Sequence, residues 1–164
     1  MKSLVVLLLL AASPAVAQVH EKDVESRLAA LVGDWTIPGE ERTYRETCNW
    51  YRNQSFIVCT SEDTSDNSMS QSILGYSKSE NHFTYHNFGS TGSSNSRIGF
   101  PDGERGLIYT QERKTSKGIV RATTKVTPLP DGRVHFAEER STNGGPWVTA
   151  ADFYYVRRIN VSTP

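Results

Sequence analysis

From Trp35 onward, polar and apolar positions alternate with a period of two, interrupted at short intervals by turn-forming residues. The alternation is clearest in "GIVRATTKV", where Val120, Ala122, Thr124 and Val126 share one face and Arg121, Thr123 and Lys125 the other. Strands of this kind belong to antiparallel sheets with one wet face. The pattern predicts strands over 41–51, 55–62, 69–77, 83–88, 94–100, 105–111, 118–127, 133–140 and 147–159. Turn groups such as "DTSDNS", "KSEN", "GSTGSS", "TSKG" and "STNGGP" separate them. Before Trp35 the period changes. In "HEKDVESRLAALVGDW", Val24, Leu28 and Leu31 recur at helical spacing with charged residues opposite, and Gly33 is placed to stop the helix.

Consecutive strands with short connections predict an up-and-down meander. A long meander leaves two exposed edges unless it closes, so an all-β, single antiparallel barrel of about nine or ten strands with a short N-terminal helix is expected. Barrels of that size have room for a small guest. A two-sheet sandwich is the alternative architecture.

The first residues change the picture of where the chain works. "MKSLVVLLLLAASPAVAQ" has one basic residue, an apolar run over 4–12 and the small-x-small ending Ala15-Val16-Ala17. These are the parts of a secretory signal peptide cut after Ala17. A secreted or periplasmic product of residues 18–164, one domain, is therefore expected. The apolar run is too short for a membrane span. Lysine plus arginine and aspartate plus glutamate both number 18. With no basic surplus to neutralise phosphates, nucleic acid is disfavoured as a partner.

The only cysteines, Cys48 and Cys59, flank "NWYRNQSFIV". A two-residue turn at Asn53-Gln54 sets Tyr51 across from Phe56, Trp50 from Ile57, Cys48 from Cys59 and Arg45 from Glu62. Directly opposed residues approach closely enough for a disulfide, and an exported chain meets an oxidising compartment. A metal site would need His82, His86 or acids to converge on both sulfurs. A redox pair would need the cysteines close together at a helix start.

Other chemistry is sparse. "GSTGSSNS" is no nucleophile elbow, and "DTSDNS" lacks the glycine and distal glutamate of a calcium loop. In "NHFTYHNF" each face mixes an aromatic ring with a hydrogen-bonding group, as ligand-binding barrels do. Tyr85 and His86, with Phe153 and Tyr155 of the last strand, are the expected ligand-contacting residues. No catalytic residue or metal ligand is assigned. The expected partner is a small apolar or amphipathic molecule. An acid–base enzyme pairing His86 with Glu46 or Glu138, and an envelope protein-interaction module working through exposed loops, are the alternatives.

"LVGDW", residues 31–35, resembles the Gly-x-Trp signature of lipocalin-like (calycin) barrels, in which a short helix precedes the motif. The resemblance implies that Trp35 plugs one barrel end and that Arg157 or Arg158 of "YYVRR" covers it. "CNWYRNQSFIVCTSE", "SILGYSKSENHFTYHNFGSTG" and "NGGPWV" extend the likeness to an uncharacterised bacterial family of exported, nitrobindin-related barrels, over nearly all of 31–158. Nitrobindin relatives bind haem, with extra glycines after the tryptophan and an axial histidine near the C-terminus. Here "TIPGEE" retains only Gly39 and "DFYYVRR" has no histidine, so no cofactor is expected. His135 lies one strand earlier.

Overall fold

A computed structural model describes residues 21–52 and 55–158. The leader-like segment with its cleavage site, the Asn53-Gln54 turn and Ile159 lie outside the described residues. One helix, α1 (Glu21–Ala29), precedes ten strands: β1 (Gly33–Thr36), β2 (Tyr44–Tyr51), β3 (Phe56–Asp63), β4 (Ser68–Ser77), β5 (His82–Gly89), β6 (Ser94–Asp102), β7 (Gly106–Thr115), β8 (Gly118–Pro128), β9 (Val134–Thr142) and β10 (Val148–Arg157). Each strand pairs antiparallel with the next, and β1 pairs with β10, closing the barrel. Closure leaves no free sheet edge. Among the described residues, no helix is long and apolar enough to cross a membrane.

α1 caps one end. Its first turn carries Glu21 and Asp23 and its last turn Arg27, matching the helix dipole. Leu28 and the following Leu31 are buried against the barrel floor. Arg27, one of the charged residues of the helix, is nonetheless buried. Its Nη1 donates to Gly106 O at 2.5 Å and its Nη2 to Gly103 O at 3.0 Å, tying the helix to the β6–β7 turn. The guanidinium tolerates burial because these carbonyls replace its water. The helix also ends one turn before Gly33, which instead opens β1 at φ 138°.

That glycine has a steric reason. A Cβ at Gly33 would stand within 1.6 Å of Arg157 Nη1. The Arg157 guanidinium needs this space to lie 3.8 Å over the Trp35 ring centroid while donating to Val32 O. Trp35 is buried, and its Nε1 donates to Leu31 O at 2.8 Å. Arg158 contributes only its backbone N–H, to Asp34 O.

The β2–β3 register is the one that the sequence predicts, with Cys48 opposite Cys59, Trp50 opposite Ile57 and Arg45 ion-paired to Glu62. Cys48 and Cys59 form a disulfide across a Cα separation of 4.0 Å. Both sulfurs face inward beside Ile57, which is fully buried, and Trp50, which packs against the core.

β10 contains an irregularity between Thr149 and Ala151. An extra residue inverts which side chains face in. Past it, Ala151, Phe153 and Tyr155 pair with Glu138, Phe136 and Val134 of β9 and share their inner face. The interior is thus graded. Leu28, Leu31, Trp35, Ile57, Leu74, Phe83, Leu107 and Val134 fill the helix-capped end. Toward the opposite end the inner face becomes polar, with Ser61 bonded to Ser70, and Asn87 donating to Ser70 and Ser72.

Candidate functional site

Where the apolar floor meets the polar half, the barrel encloses a cavity of about 110 Å³. Its walls come from nearly every strand. Leu31, Trp35, Leu74, Val126, Val134 and Phe136 form the apolar side, and the Cys48–Cys59 bridge lies on it as well. Glu46, Tyr85, Arg97, Thr124 and Tyr155 supply polar atoms, and Tyr109 adds a further ring. This mixture of apolar wall and a few fixed polar groups is the usual composition of a ligand pocket. The volume is below the roughly 150 Å³ of an apolar cavity that accommodates benzene, and so restricts any guest to a compact molecule.

Two carboxyls in this interior have opposite electrostatic settings. Glu46, on β2, accepts from the Tyr44 hydroxyl at 2.8 Å, and that hydroxyl lies 3.4 Å from the one of Tyr155. Its other oxygen is 3.6 Å from Cys48 Sγ, which as a disulfide sulfur has no proton to offer. No described residue forms an ion pair with it. Burial raises its pKa, and the two tyrosine hydroxyls offset this only in part. Burial likewise raises Tyr44, Tyr155, Tyr85 and Tyr109, so all four phenols remain neutral.

Glu138, on β9, is buried too, which disfavours its charge. Arg97 Nη1 at 2.7 Å, Arg140 Nε at 2.6 Å and Thr124 Oγ1 at 3.0 Å more than compensate, and its pKa is lowered. The Arg97 guanidinium also sits 5.6 Å from the Tyr85 ring centroid. Arg97 Nε and the Tyr109 hydroxyl are buried without a hydrogen-bond partner among the described residues.

The two settings predict opposite pH effects. Because the folded state holds the Glu46 proton more tightly than the unfolded chain, stability declines as pH rises from the ordinary glutamate range through its raised value. The lowered Glu138 acts the other way, and its contribution is lost as pH falls through its folded value. Glu46→Gln is therefore expected to remove the decline on the alkaline side and raise stability at neutral pH, while the acid limb set by Glu138 persists. Urea denaturation across acid to neutral pH checks this. An unchanged alkaline slope in the variant would contradict the assignment.

The residues singled out in the sequence divide between two faces. Tyr85 and Tyr155 line the cavity. Phe153 stands behind it, stacked on Phe136 at 5.0 Å and edge-on to Tyr155 at 5.1 Å. His86 is on the outer face, because Tyr85 next to it points in, and its Nδ1 pairs with Ser96 Oγ at 2.9 Å. It therefore meets neither Glu46 nor Glu138, and the acid–base pairing considered for it has no geometry here. His135 is also outside, stacked on Tyr154 and 2.7 Å from Asp152 Oδ1. Among the described residues, no histidine lines the cavity. Glu46 and the two cysteines cluster tightly enough to suggest a metal. With the sulfurs bonded to each other, they are not thiolate ligands.

Arg97, Thr124, Leu74 and Tyr109 were not singled out in the sequence. Their one signal was position: Arg97 alternates with Asn95 and Gly99, and Thr124 shares a face with Ala122 and Val126.

No family model matches the chain, and no curated protein matches it.

Proposed function

We propose that this chain is an exported carrier for a compact, mainly apolar small molecule, of the lipocalin-like, nitrobindin-related kind but without haem. The reading rests on one observation, a cavity inside a closed barrel with an apolar floor and a polar upper wall. The guest sits with its apolar body against Leu74, Val126 and Phe136 and its polar group among Glu46, Tyr85, Arg97 and Tyr155. A chamber enclosed by a closed barrel favours a carrier, because little ordering is required on binding. The absence of a histidine from the described lining supports a guest other than haem. The Cys48–Cys59 bridge, together with the leader-like N-terminus, supports work outside the cytoplasm.

Native mass spectrometry of protein purified from its own compartment tests the reading. A retained small molecule is expected in the wild type. Val126→Phe, which fills the chamber, should lose it at a cost of about 1–3 kcal/mol in stability. An adduct equally abundant in Val126→Phe would place the ligand elsewhere. Wild-type protein that retains nothing and gives no thermal shift with a panel of small amphipathic compounds would end the carrier reading.

A further inference from the structure

The charge pattern of the cavity narrows the class of guest, given the carrier reading. Two lining residues are ionisable to full charge, Glu46 and Arg97. Arg97 already has a counter-ion, since its Nη1 binds Glu138 Oε2 at 2.7 Å. Glu46 is the reverse case, a carboxyl in the wall with no counter-ion among the described residues. The groups facing it are the hydroxyls of Tyr44 on its own strand, Tyr155 on β10 and, further off, Tyr85 on β5. Across the sheet its register partners are Ser61 on β3 and Trp35 on β1. None is a cation. Around it the cavity presents the rings of Trp35, Tyr85, Phe136 and Tyr155. Aromatic faces beside a lone carboxylate attract an organic cation, through the ring quadrupoles and through a direct ion pair.

We infer that the cavity selects a small primary ammonium ion on an apolar body, with the ammonium at the Glu46 carboxylate and the body among the aromatic rings. A carboxylic acid ligand would set a second carboxyl against Glu46 and would compete with Glu138 for the Arg97 guanidinium. A neutral ligand would leave Glu46 as it is in the empty barrel, protonated over the range where burial raises its pKa. An ammonium changes that state. The Glu46 carboxyl gives up its proton to solvent and the carboxylate pairs with the incoming cation, so one bound cation replaces one released proton. Affinity for the amine then rises with pH until the carboxyl is already ionised in the free protein, and falls again once the amine itself loses its charge.

Titration calorimetry with three probes of matched shape, benzylamine, benzyl alcohol and benzoate, tests this on the oxidised full chain. Two buffers of different ionisation enthalpy report the protons exchanged. Benzylamine is expected to bind about tenfold tighter than benzyl alcohol, with benzoate weakest, and only benzylamine should release a proton. Glu46→Gln should abolish the preference for the amine over the alcohol. Proton release by the wild type gives the same information if the variant does not fold. Benzoate binding as tightly as benzylamine, or amine binding without proton release at acid pH, overturns the inference while sparing the carrier reading. Failure of all three probes to bind overturns both.

Discussion

Replacing both cysteines, Cys48→Ala with Cys59→Ala, is expected to destabilise the protein by about 3 kcal/mol. The bridge joins residues 11 apart in sequence. On the chain-entropy model, releasing a loop of that size returns about this much freedom to the unfolded chain. The native register does not depend on the bridge, because seven further residue pairs and the Arg45–Glu62 ion pair hold β2 against β3. The loss should therefore appear as a lower denaturation midpoint in a barrel that still folds. The denaturant slope should increase, since an unbridged chain exposes more surface on unfolding. Reduction of the wild type with dithiothreitol should shift the midpoint in the same direction. A double variant within about 0.5 kcal/mol of the wild type would mean that the unfolded chain already keeps this hairpin together, as residual denatured-state structure can.

The bridge also shows how far the sequence could be read. Its register followed from counting back from a two-residue turn, because each hairpin residue has one partner and the hydrophobic alternation admits one frame. The barrel was legible for a similar reason: consecutive half-buried strands with short turns have few closed arrangements.

Site geometry was less legible, and particular strands explain why. In β6, "SNSRIGFPD", the apolar Ile98 and Phe100 are exposed while Asn95, Arg97 and Gly99 face in. Hydrophobicity alone reverses that strand. What holds it is tertiary: Arg97 finds Glu138, 41 residues away, and the missing Cβ of Gly99 leaves room for the Tyr109 ring against Phe83. In β10 the irregularity after Thr149 changes the inward parity partway along. No count from the strand start could therefore tell which of Phe153, Tyr154 and Tyr155 enters the core. In β5 each face mixes rings with polar groups, so Tyr85 and His86 could not be separated until Phe83 was seen fully buried on the Tyr85 side.

Trp35→Ala is expected to have the largest effect of any single truncation at the capped end, about 3–5 kcal/mol. The indole is 3% exposed, lies between the α1–β1 segment and the cavity, and satisfies its N–H on Leu31 O. Its removal leaves a void beside an existing cavity and takes away the surface on which Arg157 rests. Arg157→Ala should cost less, about 1–2 kcal/mol, because its guanidinium is near solvent and its contribution is the cation–π contact plus the bond to Val32 O. Arg157→Lys should recover only part of that, since an ammonium lacks the flat face that stacks on the indole. Gly33→Ala belongs to the same unit, as its methyl would occupy the space of Arg157 Nη1 in a backbone conformation that L residues disfavour. If one guanidinium links these positions, Trp35→Ala and Arg157→Ala should combine to clearly less than the sum of their separate costs. Gly33→Ala should then lose part of its penalty in an Arg157→Ala background. Urea denaturation of the single and double variants measures both couplings, and additive costs would show that Gly33, Trp35 and Arg157 stabilise the barrel end independently.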